Sequence, residues 1–290
     1  MANSSDVLAL SAAVVTRNRP DSLERCLRSL RGQSVQPSEV VISDDSDWQI
    51  AAEVEALARR WDCVYLSGPR RGLYANRNHA ALGCQGMHVR TVDDDHTFPP
   101  GHFARCHDAV ASDPQAIWTT GETSFINGKR HDSTATANQL HPSGLGTRVS
   151  DPDDNWAIAD GSTIYPRHVF ESGFRMIEDY PYGSSYLEFG ALLYYRGYRS
   201  RCVRGALVEH HATLATLRRS HDRQVAASHL FASLAYNLFF RPNSVRAWRY
   251  ALACLARADV SLLGEFPIIA AKARARWRRR LASAPSLSCF

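Results

Sequence analysis

Four short apolar runs, each followed by a segment with helical spacing, dominate the first 120 residues. LALSAAVVT, SEVVIS, CVYLSG and MHVRTV read as strands. DSLERCLRSLRGQ carries Leu23, Leu27 and Leu30 at helical intervals, with Asp21 expected as its N-cap and Gly32 as its stop. WQIAAEVEALARRW, the end of PRRGLYANRNHAALGCQG and GHFARCHDAVASD supply further helices. Strands that alternate with helices are joined by crossovers, which cover both faces of a mainly parallel sheet. The expected class is therefore α/β. AIWTTGETSF and SRCVRGALVEHHA are later strands, and SSYLEFGALLYYRGY is a helix ended by Gly197. From Thr216 the periodicity is helical, with a break at Arg241-Pro242. This divides the chain into an α/β domain over residues 1–215 and a helical, basic appendage over 216–290. The polar stretch from Asn127 to Asn155 is long for a loop and is expected to act as a lid.

Hydrophobic residues make up 44% of the 290, enough for a real core. The seven cysteines are scattered without a C-x-x-C pair, so idle thiols in a reducing compartment are expected. The opening MANSSDVLALSAAVV has no basic leader, and no signal peptide is expected. The longest apolar stretch, AASHLFASLAYNLFF, is interrupted by His229 and Asn237 and is too short to span a bilayer. A cytoplasmic location follows as the expectation. The net charge of +5 is unevenly spread. From Arg241 onward ten basic residues face Asp259 and Glu265, which leaves the first 240 residues slightly acidic. AAKARARWRRRLASAP reads as a basic helix carrying Trp277. It is either a solvated face or a peripheral contact with the inner, anionic surface of a membrane. No motif supports nucleic-acid binding.

In open α/β sheets ligands bind beyond the carboxyl ends of the strands. Three of those ends are polar here: Thr16-Arg17-Asn18, Asp44-Asp45 and Asp93-Asp94-Asp95. The turn after the first strand, TRNRPDSL, has no glycine, which disfavours a dinucleotide fingerprint, and no G-x-x-x-x-G-K-[ST] loop occurs. Three adjacent carboxylates repel one another and need a positive partner. Carboxylates spaced D-x-D at a strand end hold Mg2+ or Mn2+, which in turn grips a diphosphate.

The segments VVTRNRPDSLERCLRSL, EVVISDDSD, RRGLYANRNHAALGCQG, VRTVDDDHTFPPGHF, STIYPRHVFESGF and LLYYRGYRS occur in that order. The series resembles a family 2 glycosyltransferase of the GT-A fold, a mainly parallel Rossmann-like sheet flanked by helices. The resemblance implies transfer of a sugar from a nucleotide-diphosphate donor, a UDP-sugar by preference, to an acceptor hydroxyl with inversion. The acceptor would be a glycan, a lipid-linked sugar or a small molecule. It implies that Thr16, Arg17, Asp44 and its neighbour Asp45 line the base pocket, and that Arg77 sits by the diphosphate. Asp93 lies nearer the ribose, Asp94 between, and Asp95 is the main ligand of Mn2+ or Mg2+, with Asp93 beside it. A late histidine completes the metal shell; His210 and His211 alternate across the strand, and His211 is taken. His96 is a neighbour of the shell. The catalytic base of such enzymes comes from an ED pair whose positions fall here on Ser185 and Tyr186. Glu188, one turn further, is the expected base, and Asp179 in MIEDYPYG the alternative. Trp156 is a candidate to stack on a sugar, and DGSTIYPR, from Asp160, to line the acceptor side. The missing pair leaves open a sugar-nucleotide-binding or scaffolding protein without activity. A nucleotidyltransferase is the remaining alternative, although TRNRPDSL lacks the glycines it needs.

Overall fold

A computed structural model describes residues 9–135, 137–212, 223–257, 262 and 264–279. Its first half is the expected alternation: β1 (Leu10–Thr16), α1 (Pro20–Arg31), β2 (Glu39–Asp44), α2 (Trp48–Arg60), β3 (Val64–Ser67), α3 (Leu73–Gly83) and β4 (His88–Asp93). A two-residue strand β5 (His96–Thr97), α4 (His102–Ser112), β6 (Ile117–Ile126) and β7 (Lys129–Ala135) follow. Then come β8 (Asn138–Leu140), β9 (Gly146–Arg148), β10 (Thr163–Pro166), α5 (His168–Glu171), α6 (Ser185–Tyr195) and β11 (Ser200–Ala212).

The main sheet runs β3-β2-β1-β4-β10-β6-β11-β5, with β7 on β6. β1 to β4 are parallel, β10 is antiparallel to both neighbours, and β6 and β11 are parallel again. Every residue of β1 is buried, as a strand covered on both faces must be. Ala12 and Val14 face one way, onto Leu23 and Leu27 of α1, Val54 of α2 and Phe103 of α4. Ala13 and Val15 face the other way, into a core shared with Tyr74, Phe189 and Leu192.

Two expectations are corrected. The N-cap of α1 is Arg19, followed by Pro20, whose missing N–H costs nothing in a first turn; Asp21 lies inside that turn. The stretch from Asn127 is not a free loop, because β7 pairs with β6, and β8 with β9 forms a two-stranded sheet.

The C-terminal helices are α7 (Arg223–Ala235), continued by a π-helical turn over Tyr236–Phe240, α8 (Ser244–Arg257) and α9 (Phe266–Arg278). Residues 216–222, where the helical pattern was read to begin, lie outside the described part. Tyr236, Phe240 and Trp277 enter the same core as Phe189 and Leu192 of α6, so this region shares its interior with the sheet. The join is polar at one point. Glu188 of α6 is 0% exposed. Arg276 Nε donates to both its oxygens at 2.8 and 2.9 Å, and Trp277 Nε1 donates to Oε1 at 2.7 Å. Arg276 also donates to the Arg175 carbonyl at 2.8 Å. A buried carboxylate held this way is stable only while its cation stays. Replacing Glu188 with Gln should therefore cost about 3 kcal/mol in urea unfolding. A loss below about 1 kcal/mol would show that apolar packing alone docks α9.

Candidate active site

Three strand ends form one crevice because the registers align them: Thr16 stands opposite Asp44, and Val15 opposite Asp93. Asp44 Oδ1 accepts from the Ser46 backbone N–H at 2.8 Å, and Oδ2 from the Tyr65 hydroxyl at 3.2 Å. Burial and then Asp44 push the Tyr65 phenol up to about 12, so it stays a donor. Asp45 accepts from the Arg70 N–H at 2.8 Å. Burial raises its carboxyl, against that hydrogen bond and the charge of Arg17, which is exposed at the mouth.

The aspartates divide their counter-charges. Arg77, from the middle of α3, has a side chain only 2% exposed. One of its amino groups donates to both oxygens of Asp93, at 2.7 and 2.8 Å, and the other bonds Asp160. Asp94 turns into the protein, where the Thr16 hydroxyl donates to it at 2.7 Å. Arg19 reaches Asp94 at 2.5 Å and Asp95 at 2.9 Å. Burial raises the Asp94 carboxyl to about 7 despite Arg19. Asp95 goes the other way: burial would raise it, but His210, His96 and Arg19 hold it well below the usual carboxylate range. Gly161, at φ +67°, lies against Asp93, and a Cβ there would overlap the carboxylate.

The late histidine is His210. Pairing of β11 with β5 sets it opposite His96, and its Nε2 lies 3.7 Å from Asp95 Oδ1, an ion pair rather than a hydrogen bond. Its Nδ1 faces Glu122 at 3.4 Å. Burial alone would lower His210, but the two carboxylates carry it to about 10. His211 points away: its Nε2 meets the Thr97 hydroxyl at 2.9 Å, and its ring stacks on Phe125. The expectation of His211 as ligand is corrected by the alternation of a strand, which lets one of two adjacent histidines face the aspartates. Asp95, His96 and His210 offer ligand atoms all within 4.8 Å of one another. Asp95 Oδ1 and His96 Nδ1 are buried without a hydrogen-bond partner. A carboxylate oxygen with imidazole nitrogens is a donor set for a divalent transition metal, and its carboxylate admits Mn2+.

Neither expected base faces this crevice. Both oxygens of Glu188 are committed to α9. Asp179 pairs with Lys272 of α9 at 2.5 Å, beside a cleft of about 340 Å³ lined by Arg175, Leu192, Lys272 and Arg279. Trp156 is also structural: it donates to the Leu140 carbonyl at 3.1 Å and packs on Tyr194 and Phe240. The half-buried carboxylates at the crevice are Asp160 and Glu122. Arg19 and Glu122 had no signal of their own in the sequence beyond the position of Arg19 just after β1, whereas Asp160 opened the stretch read as lining the acceptor side, without a mark of its bond to Arg77.

Two groups here bind protons more tightly than in an unfolded chain, Asp94 (to about 7) and His210 (to about 10). A raised folded value contributes stability below the unfolded value and loses it as pH rises through the folded one. Burial holds His88, His96 and His102 below their ordinary value. That acts in the opposite sense below about pH 6.5 and offsets Asp94 there, so in EDTA the net loss should appear as pH rises from about 7 to 10 through His210. Thermal unfolding across that range checks this, and His210→Gln should flatten that loss.

The model of the glycosyl transferase family 2 matches residues 11–174, more than half of the chain. An uncharacterized protein of Mycobacterium tuberculosis is 32% identical over 93 residues, 32% of this chain and 29% of that protein. A GalNAc-T7 crystal structure with UDP, GalNAc and Mn2+ superposes with a TM-score of 0.69 at 15% identity, covering 90% of this chain and 54% of that one. A fragment of S. aureus TarS in complex with UDP superposes at 0.57 and 16% identity, covering 89% of this chain and 74% of that one. The same fragment with UDP-GlcNAc gives 0.58 at 14%, covering 92% and 81%. The chain thus spans about half of the GalNAc-T7 chain and less than a third of the mycobacterial relative. At these identities the structures speak for the fold, which is GT-A, and the family match carries the assignment: the chain belongs to glycosyl transferase family 2.

Proposed function

We propose that this protein is a divalent-metal-dependent, inverting glycosyltransferase that takes a sugar from a nucleoside diphosphate sugar, a UDP-sugar by preference. The observation that carries the reading is the cluster of Asp95, His96 and His210, with a buried and unpartnered Asp95 oxygen, at the ends of the parallel strands. That GalNAc-T7 and TarS were solved with UDP, one of them with Mn2+, supports it.

Asp95 and His210 would hold Mn2+ or Mg2+, with Asp93 beside them. The bound ion would offset charge on the departing diphosphate as a Lewis acid. The chain's own residues do the rest. Thr16, Arg17, Asp44 and Asp45 border the base pocket. Asp44 keeps acceptor capacity for an N–H of uracil, since each oxygen takes one of two possible hydrogen bonds from the protein. Arg77 fixes Asp93 toward the ribose side and Asp160 toward the acceptor side. Asp160 replaces Glu188 as the proposed base, because it borders the crevice and is still partly exposed. The acceptor is a hydroxyl of a glycan, a lipid-linked sugar or a small molecule. The basic C-terminal region is taken to meet an anionic membrane surface; among the described residues no helix is long and apolar enough to cross a membrane.

Thermal stability with UDP, GDP and dTDP, each with Mn2+ or EDTA, tests the donor site. UDP with Mn2+ should raise Tm by about 5 °C or more at roughly a hundredfold excess over Kd. Asp95→Asn and His210→Ala should abolish the Mn2+-dependent part, and His211→Ala should keep it. Apparent Mn2+ affinity should climb with pH up to about 10, because His210 must give up its proton to bind. No shift with any nucleotide would sink the reading. Asp160→Asn should keep the shift and lower donor turnover by about 10²–10⁴.

A second reading has its own observation. The helix that supplies the base in this family spends its only carboxylate, Glu188, on docking α9. A sugar-nucleotide-binding protein without turnover would show the UDP shift but no donor hydrolysis, and Asp160→Asn would change nothing.

A further inference from the structure

The helix that carries the tail's arginines does not present its tryptophan outward. Trp277 is 5% exposed and bonded to Glu188, so α9 cannot offer it to a bilayer. The exposed aromatic stands on α8 instead. Val245, Trp248 and Leu252 are 80%, 63% and 61% exposed. Their spacing of three and then four residues puts them in one stripe along the helix. Ala247 and Ala251, on the flank next to it, are buried against the body. The Trp248 ring lies parallel to Phe266, with centroids 6.2 Å apart, which links the stripe to the start of α9, where Ile268 is also exposed.

The surroundings of the stripe are cationic. From residue 223 to 279 the described side chains include nine Arg and Lys and one carboxylate, Glu265, which is paired with Arg223. Arg249 is exposed one turn from both Val245 and Leu252, and Arg241 is exposed at the foot of α8. An apolar stripe with tryptophan, flanked by arginines, is the pattern of a helix lying in a bilayer interface. A second copy is a poor occupant, because a two-fold contact sets the same patch against itself and would oppose these cations without an acidic partner. Anionic headgroups complement both parts at once.

We infer that the outer face of α8, centred on Trp248, is the surface through which this chain rests on an anionic lipid bilayer. The inference depends on the reading of the C-terminal region as membrane-facing and assigns that contact to one helix face. With the base-side crevice on the sheet and this face on the C-terminal helices, the donor site keeps its own readout, the nucleotide-dependent Tm.

Co-sedimentation of the full chain with vesicles of phosphatidylcholine alone, or with added phosphatidylglycerol, tests it. The wild type should pellet with the phosphatidylglycerol vesicles and much less with phosphatidylcholine, more weakly at high salt. Trp248→Ser combined with Leu252→Ser should lower the partition coefficient by about tenfold or more. Both positions are exposed, so Tm and the UDP shift should hold. If the double variant pellets like the wild type, the assignment to α8 is wrong, while the membrane reading survives. If the wild type pellets with neither vesicle, both fail. A wild-type dimer in solution that the double variant returns to monomer would give the face to a second copy and overturn the inference.

Discussion

Three successive carboxylates at the end of a buried strand are the constraint from which the rest of the architecture follows. Ionised groups taken out of water need partners close at hand. The chain supplies them from distant segments: Arg77 from α3, Arg19 from the turn before α1, and His210 from the last strand. Arg90, fully buried within β4, adds a positive charge beneath the row and is bound by the Thr91 carbonyl and the Thr120 and Ser162 hydroxyls. The three aspartates therefore do not share one environment. Asp93 is fixed, Asp94 is turned inward, and Asp95 keeps an oxygen without a hydrogen-bond partner toward His210.

The same economy explains α6. In a core, a carboxylate on a helix must serve one partner fully. Glu188 serves Arg276 and Trp277, which gives the C-terminal helices a polar anchor. Tyr186, at the position where the family pattern places a carboxylate, stays half-buried near the core. The carboxylate left at the crevice beside Asp93 is Asp160, held on the same arginine.

Much of this was legible in the chain itself. Alternation of apolar runs and helical periods gives β1 to β4 and the intervening helices nearly to the residue, because buried parallel strands and amphipathic helices are local patterns. The strand ends located the crevice for the same reason. What the sequence did not show was pairing across long separations. His210 and His211 differ only by the register of β11 against β5, and a one-residue shift would exchange them. Glu188 carries no mark of Arg276, 88 residues later. Trp277, read on a basic helix, and Trp156, read as able to stack on a sugar or to enter the core, are both core, whereas Trp248 of the C-terminal helices is exposed. Arg19 stood in the glycine-free turn TRNRPDSL, and only the folded crevice shows which carboxylates it reaches.

Arg19 and Arg77 share one task but not one freedom. Arg77 is sealed in, with two carboxylates bound to it, and moving it would strand both. The Arg19 side chain is 40% exposed and sits on a turn. Asp95 cannot take a full positive complement from Arg19, His210 and a divalent cation together, since like charges at contact distance cost several kcal/mol at an effective dielectric of about 20. If a cation binds, the group that yields is the one with a path to solvent, and that is Arg19. An arginine displaced from the aspartates remains at the end of β1, beside the place a diphosphate would occupy, and its planar fork suits phosphate oxygens. The counter-ion of the aspartates is thus placed beside any negative charge that a ligand would bring to this end of the sheet.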